Sequence, residues 1–219
     1  MVVAVIAVAA AAFAVVPGLA QAGTLDQQQT SISAGGHVIF PPFSNAQTFT
    51  AGIAGTLDQV DLHLYQSVAV DAPLTVQIRN APGGLIGETV LASGSIGPGI
   101  GVGPPGGLVP IVFGSAPPVV AGNLYAIVVY STSASGDYGW GYSAADPYPG
   151  GQAFQGTTAV PPTGASFAAL AGEDFAFRTY VKPPAAATGL RAAALKKCKK
   201  KKSKKKRKKC RKRARKLPV

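Results

Sequence analysis

Apolar and polar residues alternate with period two in several stretches of the chain, which is how a strand with one buried face reads. In residues 59–66, Val60, Leu62 and Leu64 fall on one face and Asp61, His63 and Tyr65 on the other. Leu74, Val76 and Ile78 oppose Thr75, Gln77 and Arg79 in the same way, and Phe175, Phe177 and Thr179 oppose Ala176, Arg178 and Tyr180. Residues 109–113 and 124–130 are apolar on both faces, which predicts strands buried centrally in a sandwich. Residues 38–40, 48–50, 89–92, 138–142 and 153–155 are shorter candidates. No stretch of 23–181 repeats apolar residues at the spacings of three and four that a helix needs. The connectors are turn-formers: Ala81-Pro82-Gly83-Gly84 separates two strands, and residues 94–107, dominated by Gly and Pro, are predicted to form a surface loop without a ladder. About nine short strands punctuated in this way predict an all-β domain of two antiparallel sheets packed face to face, with jelly-roll or Greek-key connections.

Charge divides the chain. Of the 21 residues 196–216, 17 are Lys or Arg and none is acidic, whereas residues 23–181 hold nine acidic residues against two basic ones, Arg79 and Arg178. The overall charge of +12 therefore conceals a negative body and a strongly positive tail with separate jobs. At the other end, residues 1–16 are almost purely Val, Ala, Ile and Phe, followed by Pro17-Gly18 and the small-residue triplet Ala20-Gln21-Ala22. This predicts a secretory signal helix cleaved before Gly23, because an apolar run of about 16 residues falls short of the roughly 20 needed to span a bilayer. The expected organisation is a signal peptide at 1–22, a β-sandwich at 23–181, a Pro/Ala-rich linker at 182–195 and a polybasic tail at 196–219. A body of this size suits one domain, and without cysteine it must be stabilised by packing.

Several motifs occur in order along the body: Ala46-Gln47-Thr48-Phe49-Thr50, Gly55-Thr56-Leu57-Asp58-Gln59-Val60-Asp61-Leu62, Ala121-Gly122-Asn123-Leu124-Tyr125-Ala126-Ile127-Val128, Tyr148-Pro149-Gly150-Gly151 and Asp174-Phe175-Ala176-Phe177-Arg178-Thr179-Tyr180-Val181. Together they resemble the bacterial "choice-of-anchor" surface modules over roughly residues 40–181, with Phe167 standing where a Trp often precedes the final strand. The resemblance implies export, a sandwich fold and a replaceable C-terminal anchor. It implies neither a ligand nor a reaction.

Candidate chemistry in the body is sparse. Nucleophilic hydrolysis wants a base beside an activated Ser or Cys, yet the body has no Cys, no Gly-x-Ser-x-Gly elbow and two histidines. His37 falls just before a strand and His63 on an outer face, so both are expected in solvent, and no His-x-x-x-His or Glu-x-x-His spacing suggests zinc. Asp58, Asp61, Glu173 and Asp174 are the candidate carboxylates for glycoside cleavage or, with loop carbonyls, for holding a calcium ion; no other cofactor is expected. An odd separation puts Asp58 and Asp61 on opposite faces of a strand unless a bulge intervenes. Glu173-Asp174 reads as turn chemistry ahead of a strand. Arg79 and Arg178 are each expected to pair with a carboxylate at a sheet edge. Tyr138, Trp140 and Tyr142 alternate with Gly139 and Gly141, so their rings share one face. Exposed, that row is a ligand-binding platform for sugar rings, assisted by Tyr65 or Tyr148; buried, it is an aromatic wall of the core.

The tail offers Lys196, Lys197, Lys199, Lys200, Lys201, Lys202, Lys204, Lys205, Lys206, Arg207, Lys208, Lys209, Arg211, Lys212, Arg213, Arg215 and Lys216 as anion-binding groups. Residues 190–195 have helix-forming composition, but like charges at every i,i+4 spacing predict a disordered or weakly helical tail. Near an anionic surface each cation contributes about 1 kcal/mol before screening, so the tail is expected to be a salt-sensitive anchor. The partners this predicts are anionic envelope polymers or lipid headgroups, with glycans for the body and nucleic acid bound without sequence preference, since no aromatics interleave with the charges. Cys198 and Cys210 bracket residues that are Lys or Arg apart from Ser203, and outside the cell they can bridge within one chain or between two. The leading functional expectation is a non-enzymatic secreted or cell-surface sandwich held at the envelope by its tail. The alternatives are a carbohydrate-binding module or glycan-active enzyme, and a secreted nucleic-acid binder.

Overall fold

The computed structural model describes residues 23–100, 102–158, 160–184 and 190–217, so the predicted signal segment at 1–22 lies outside the described residues. Fourteen strands follow in chain order: β1 (Thr24–Gln29), β2 (Gly36–Ile39), β3 (Ser44–Thr50), β4 (Gly55–Gln66), β5 (Leu74–Asn80), β6 (Val90–Ile96), β7 (Gly107–Val112), β8 (Pro118–Val119), β9 (Leu124–Ser131), β10 (Tyr138–Ser143), β11 (Ala153–Gly156), β12 (Phe167–Ala169), β13 (Asp174–Phe175) and β14 (Phe177–Lys182). Two helices close the described chain, α1 (Leu190–Lys199) and α2 (Lys204–Ala214).

The strands form two antiparallel sheets packed as a sandwich. One sheet runs β1-β14-β4-β10-β13, with β2 added to β10 and with β7 and β8 on β4; the other runs β12-β11-β3-β9-β5-β6. Most neighbours are far apart in sequence, as in the crossing connections expected, and only β5–β6 and β11–β12 are paired by short returns. Between the sheets lies a core built from the inward members of each alternation: Leu57, Val60, Leu62 and Leu64 of β4, Leu74, Val76 and Ile78 of β5, and Phe175 and Phe177, all fully buried. At roughly 1.5–3 kcal/mol for each large apolar side chain buried, this cluster supplies the stability that the cysteine-free body needs.

Val60, Leu62 and Leu64 share a face as their spacing predicts, but Leu57 joins them from three residues away. A bulge makes this possible: Leu57 faces Val181 and Gln59 faces Tyr180, leaving Asp58 without a partner in β14. The double-sided apolar run at 124–130 also has a structural cause. In β9, Tyr125, Ile127 and Val129 face the core, while Ala126, Val128 and Tyr130 belong to a second cluster on the outer side of the sheet with Ala81, Ile86, Ala46 and Phe154. Phe167 packs onto that outer cluster.

Two expectations need correction. The run at 109–113 is not central: β7 pairs with β4 alone, and Val112 is 67% exposed because it points away from the core that holds Ile111 and Phe113. Residues 94–107 are not wholly a loop either. Gly94, Ser95 and Ile96 continue the β6 ladder against β5, and Gly107 begins β7 opposite Leu64, since glycine in a strand keeps its backbone donor and acceptor.

Candidate functional site

The aromatic row is on the inside. Tyr138 and Trp140 are fully buried, Tyr142 is half-buried, and the rings form part of the core wall and not a sugar platform. Trp140 stacks on Phe175 at 4.5 Å between centroids, and its indole Nε1–H donates to the Ala176 carbonyl at 2.9 Å. The Tyr138 hydroxyl donates to the Ala72 carbonyl at 2.8 Å, and burial raises its pKa above the ordinary tyrosine value. Tyr148, proposed as an outside helper, is itself buried with its pKa pushed up to about 12, chiefly by desolvation. The glycines between the rings have their own function in packing. Tyr65 of β4 lies directly across from Gly139, where a Cβ would come within 2.0 Å of the ring, and His63 covers Gly141. The outer face of β10 is therefore roofed by side chains from β4, which corrects the expectation that His63 is solvated. Desolvation lowers the His63 pKa, and its Nδ1 is buried without a hydrogen-bond partner among the described residues.

One end of the sandwich interior is polar. His37, already inside β2, pairs with Glu173 through Nε2 and Oε2 at 2.8 Å, and its ring meets Tyr142 at 4.3 Å, so it too is held and not solvated. Gln155 bridges His37 Nδ1 at 3.2 Å and Asn45 Oδ1 at 3.3 Å. Beside them Asp174 is completely buried, far from the simple turn chemistry expected of it. Its carboxylate accepts from Gln47 Nε2 at 2.9 Å and from the Tyr148 backbone N–H at 2.8 Å. Desolvation nevertheless lifts its pKa to about 6, reinforced by neighbouring Asp146 against the lowering effect of those two donors. Asp146 is the one non-glycine described residue at positive φ, 46°, so the turn that carries it is strained locally.

The remaining candidate groups are engaged in separate places. Asp58 takes Lys182 Nζ at 2.6 Å and the Gly23 backbone N–H at 3.3 Å. Asp61 accepts from Tyr180 Oη at 2.8 Å and Gln59 Nε2 at 2.7 Å, directly opposite Arg178 in the ladder. Arg79 departs from the edge pairing expected: it is buried on the outer side of β5, donating to Gln77 Oε1 and to the Pro162 carbonyl at 2.9 Å, and desolvation lowers its pKa. Among the described residues no three His, Cys, Asp or Glu side chains converge to hold a metal ion.

The tail is the other candidate, and of the two states expected, disordered or weakly helical, the structure has the helical one. Residues 190–199 and 204–214 are helices, and Cys198 and Cys210 are bridged within the chain, their Cα atoms 5.5 Å apart. The bridge ties the two helices together against the charge repulsion, beside a seam where Ala194, Cys198, Cys210, Ala214 and Leu217 are flanked by the cations Lys201, Lys206, Lys209 and Arg213. Cys198 and Ala214 are buried there. Arg191 of α1 donates to the Arg215 carbonyl at the end of α2, satisfying one of the acceptors a helix terminus leaves open. Arg211, Lys212 and Arg213 also sit favourably at the negative end of the α2 dipole, whereas Lys204, Lys205 and Lys206 crowd its positive end. Away from the seam, Lys204, Arg207, Lys208, Arg211, Lys212 and Arg215 line one open recess of about 670 Å³.

No protein-family model matches this chain, and no curated protein matches it. The tail's charges, its weak helical tendency and a bridge within one chain were legible in the sequence; that two helices would lie side by side across that bridge was not. Reasoning from sequence also missed the part played by Gln47, whose inward position in β3 could be read from its alternation with Ala46 and Thr48 only once the buried face was known.

Proposed function

We propose that this chain is a non-enzymatic, exported β-sandwich of the choice-of-anchor kind, kept at the cell envelope by its cationic helical hairpin. The sandwich then mediates adhesion or contact with matrix or wall material. The observation that carries this reading is electrostatic. All 17 cations of residues 196–216 are segregated from the acidic body in sequence, and among the described residues none of them forms an ion pair. A stapled hairpin with that charge and no acidic residue gains free energy wherever a polyanion replaces its counterions, and loses it as salt rises.

The test is fractionation of cells that produce the full chain or a chain ending at Pro184. That end point matters, because Lys182 belongs to β14 and neutralises the nearly buried Asp58, so an earlier cut would damage the sandwich as well. The full chain should sediment with washed envelopes and be released by rising salt, and the shortened one should be soluble from the start. Retention of the shortened chain on the envelopes would refute the anchoring function.

A further inference from the structure

Arginine and lysine are not scattered at random over α2. Arg207 and Arg211 of α2 and Arg215 at its C-cap, still in helical conformation, follow one another at four-residue intervals, and so do Lys204, Lys208 and Lys212, while Arg213 lies with the cysteines instead. On a helix this makes two parallel rows on one face, with successive members about 6 Å apart. The same six residues line the open recess, on a face turned away from the cysteine seam. Five of them are exposed and Arg207 is half-exposed. Nothing acidic among the described residues occupies either row.

A lysine presents a compact point charge, whereas an arginine presents a planar fork that binds two oxygens of one oxyanion at once. A straight row of three forks suits a ligand that can offer an oxyanion at each step along a line. A phosphodiester chain does so: every unit carries two non-bridging oxygens, and its flexible links let each phosphate rotate toward the helix. Carboxylates fixed to stiff pyranose rings point where the helix of the chain sends them, to alternate sides in a two-fold ribbon, so fewer of them meet one straight row. With no aromatic residue in 190–217, bases or sugars gain no stacking contact, so the backbone charges alone are read.

We propose that the Arg207–Arg211–Arg215 row is a phosphodiester-binding strip, so that the hairpin's partner is a linear phosphodiester polymer and not a polycarboxylate. This rests on the anchoring reading and specifies its ligand. The mature full-length protein is titrated with three probes of matched length and charge: synthetic poly(glycerol phosphate), oligodeoxythymidylate and oligogalacturonate. The comparison is with the triple variant R207K/R211K/R215K, which keeps the net charge, and circular dichroism checks that its helix content is unchanged. The variant should bind both phosphodiester probes about tenfold more weakly and lose clearly less affinity for oligogalacturonate, whose carboxylates engage fewer of the three forks at once. Preference for poly(glycerol phosphate) over oligodeoxythymidylate would identify an envelope source of the phosphates, and the reverse a nucleic-acid source; either sustains the strip. Equal affinity of wild type and variant for the phosphodiester probes, or an equal loss on all three probes, would overturn it. In that event release of the Pro184-terminated chain from envelopes would still leave anchoring by undirected charge in place, so the two proposals fail separately.

Discussion

Replacing Asp174 by Asn should remove a pH dependence that the wild-type sandwich carries between about pH 4 and pH 7. The side chain is completely buried, and its pKa in the folded protein is raised from 3.8 to about 6 by desolvation, with Asp146 adding to the effect. A raised carboxyl pKa means that the folded state holds the proton more tightly than the unfolded one. The stabilisation is therefore fully present below the unfolded value and is lost as pH rises through 6. A shift of that size corresponds to about 3 kcal/mol, a large share of a typical domain's stability. His63 works in the opposite direction, because its lowered pKa makes the fold lose stability as pH falls, but it is common to both proteins and cancels in the comparison.

The assay is denaturant unfolding followed through Trp140, the single tryptophan, at several pH values for the wild type and Asp174→Asn. The amide keeps the shape of the side chain but cannot accept from both Gln47 Nε2 and the Tyr148 N–H, so it carries a constant cost of about 1–3 kcal/mol. Superimposed on that offset, the stability of the wild type relative to the variant should decline by up to about 3 kcal/mol from pH 4 to pH 7. A difference that stays flat across this range would refute the assignment of a titrating proton to Asp174.

Trp140→Phe should destabilise the body by about 2–3 kcal/mol through lost volume and the lost bond to the Ala176 carbonyl, measured by urea unfolding with near-ultraviolet dichroism; wild-type stability would contradict its place in the core. Gly139→Ala should cost about 1–3 kcal/mol by displacing the Tyr65 ring and its 3.3 Å bond to the Gly36 carbonyl. The same substitution in a Tyr65→Ala background should cost clearly less, and equal costs in both backgrounds would show that the ring does not occupy the glycine slot.

The alternation in β4, β5 and β14 made the sandwich legible because each of these strands has one apolar face and one polar face. Where a strand breaks that rule, the sequence misled. β1 is nearly all polar, Thr-Leu-Asp-Gln-Gln-Gln, because it is an outer strand with little to bury, and nothing in its pattern announced it. Residues 109–113 looked central because exposed Val112 and inward Ile111 are equally apolar. The interior polar end was hidden for a different reason: His37, Gln47 and Asp174 come from β2, β3 and β13, and only the folded pairing brings them to one place. Likewise Gly139 and Gly141 could be seen as unusual, but not that Tyr65 and His63 fill the space they leave. For the tail, like-charge repulsion predicts disorder or weak helix, and the structure has two helices joined through the Cys198–Cys210 bridge, a pairing that the charge pattern does not encode.

The acidic body and the basic tail pose a further question of why the chain's own carboxylates do not neutralise the hairpin. Among the described residues every acidic side chain except Asp146 accepts a hydrogen bond from within the sandwich: Asp26 from Gly52, Asp71 from Ser133, Glu88 from Gly164 and Asp137 from Ser67, besides those already described. Such bonds leave the charge in place but fix its position on the sandwich, and among the described residues only Asp58 and Glu173 form an ion pair. Among the described residues no ion pair joins body and tail, and attraction between charges separated by solvent fades beyond about 8 Å at physiological salt. A flexible external polyanion can instead bring successive charges into contact with the rows on α2 and release counterions at each step. On the proposed function, a body whose acids are held in local hydrogen bonds and form no ion pair with the tail among the described residues leaves the hairpin's cations to a partner in trans.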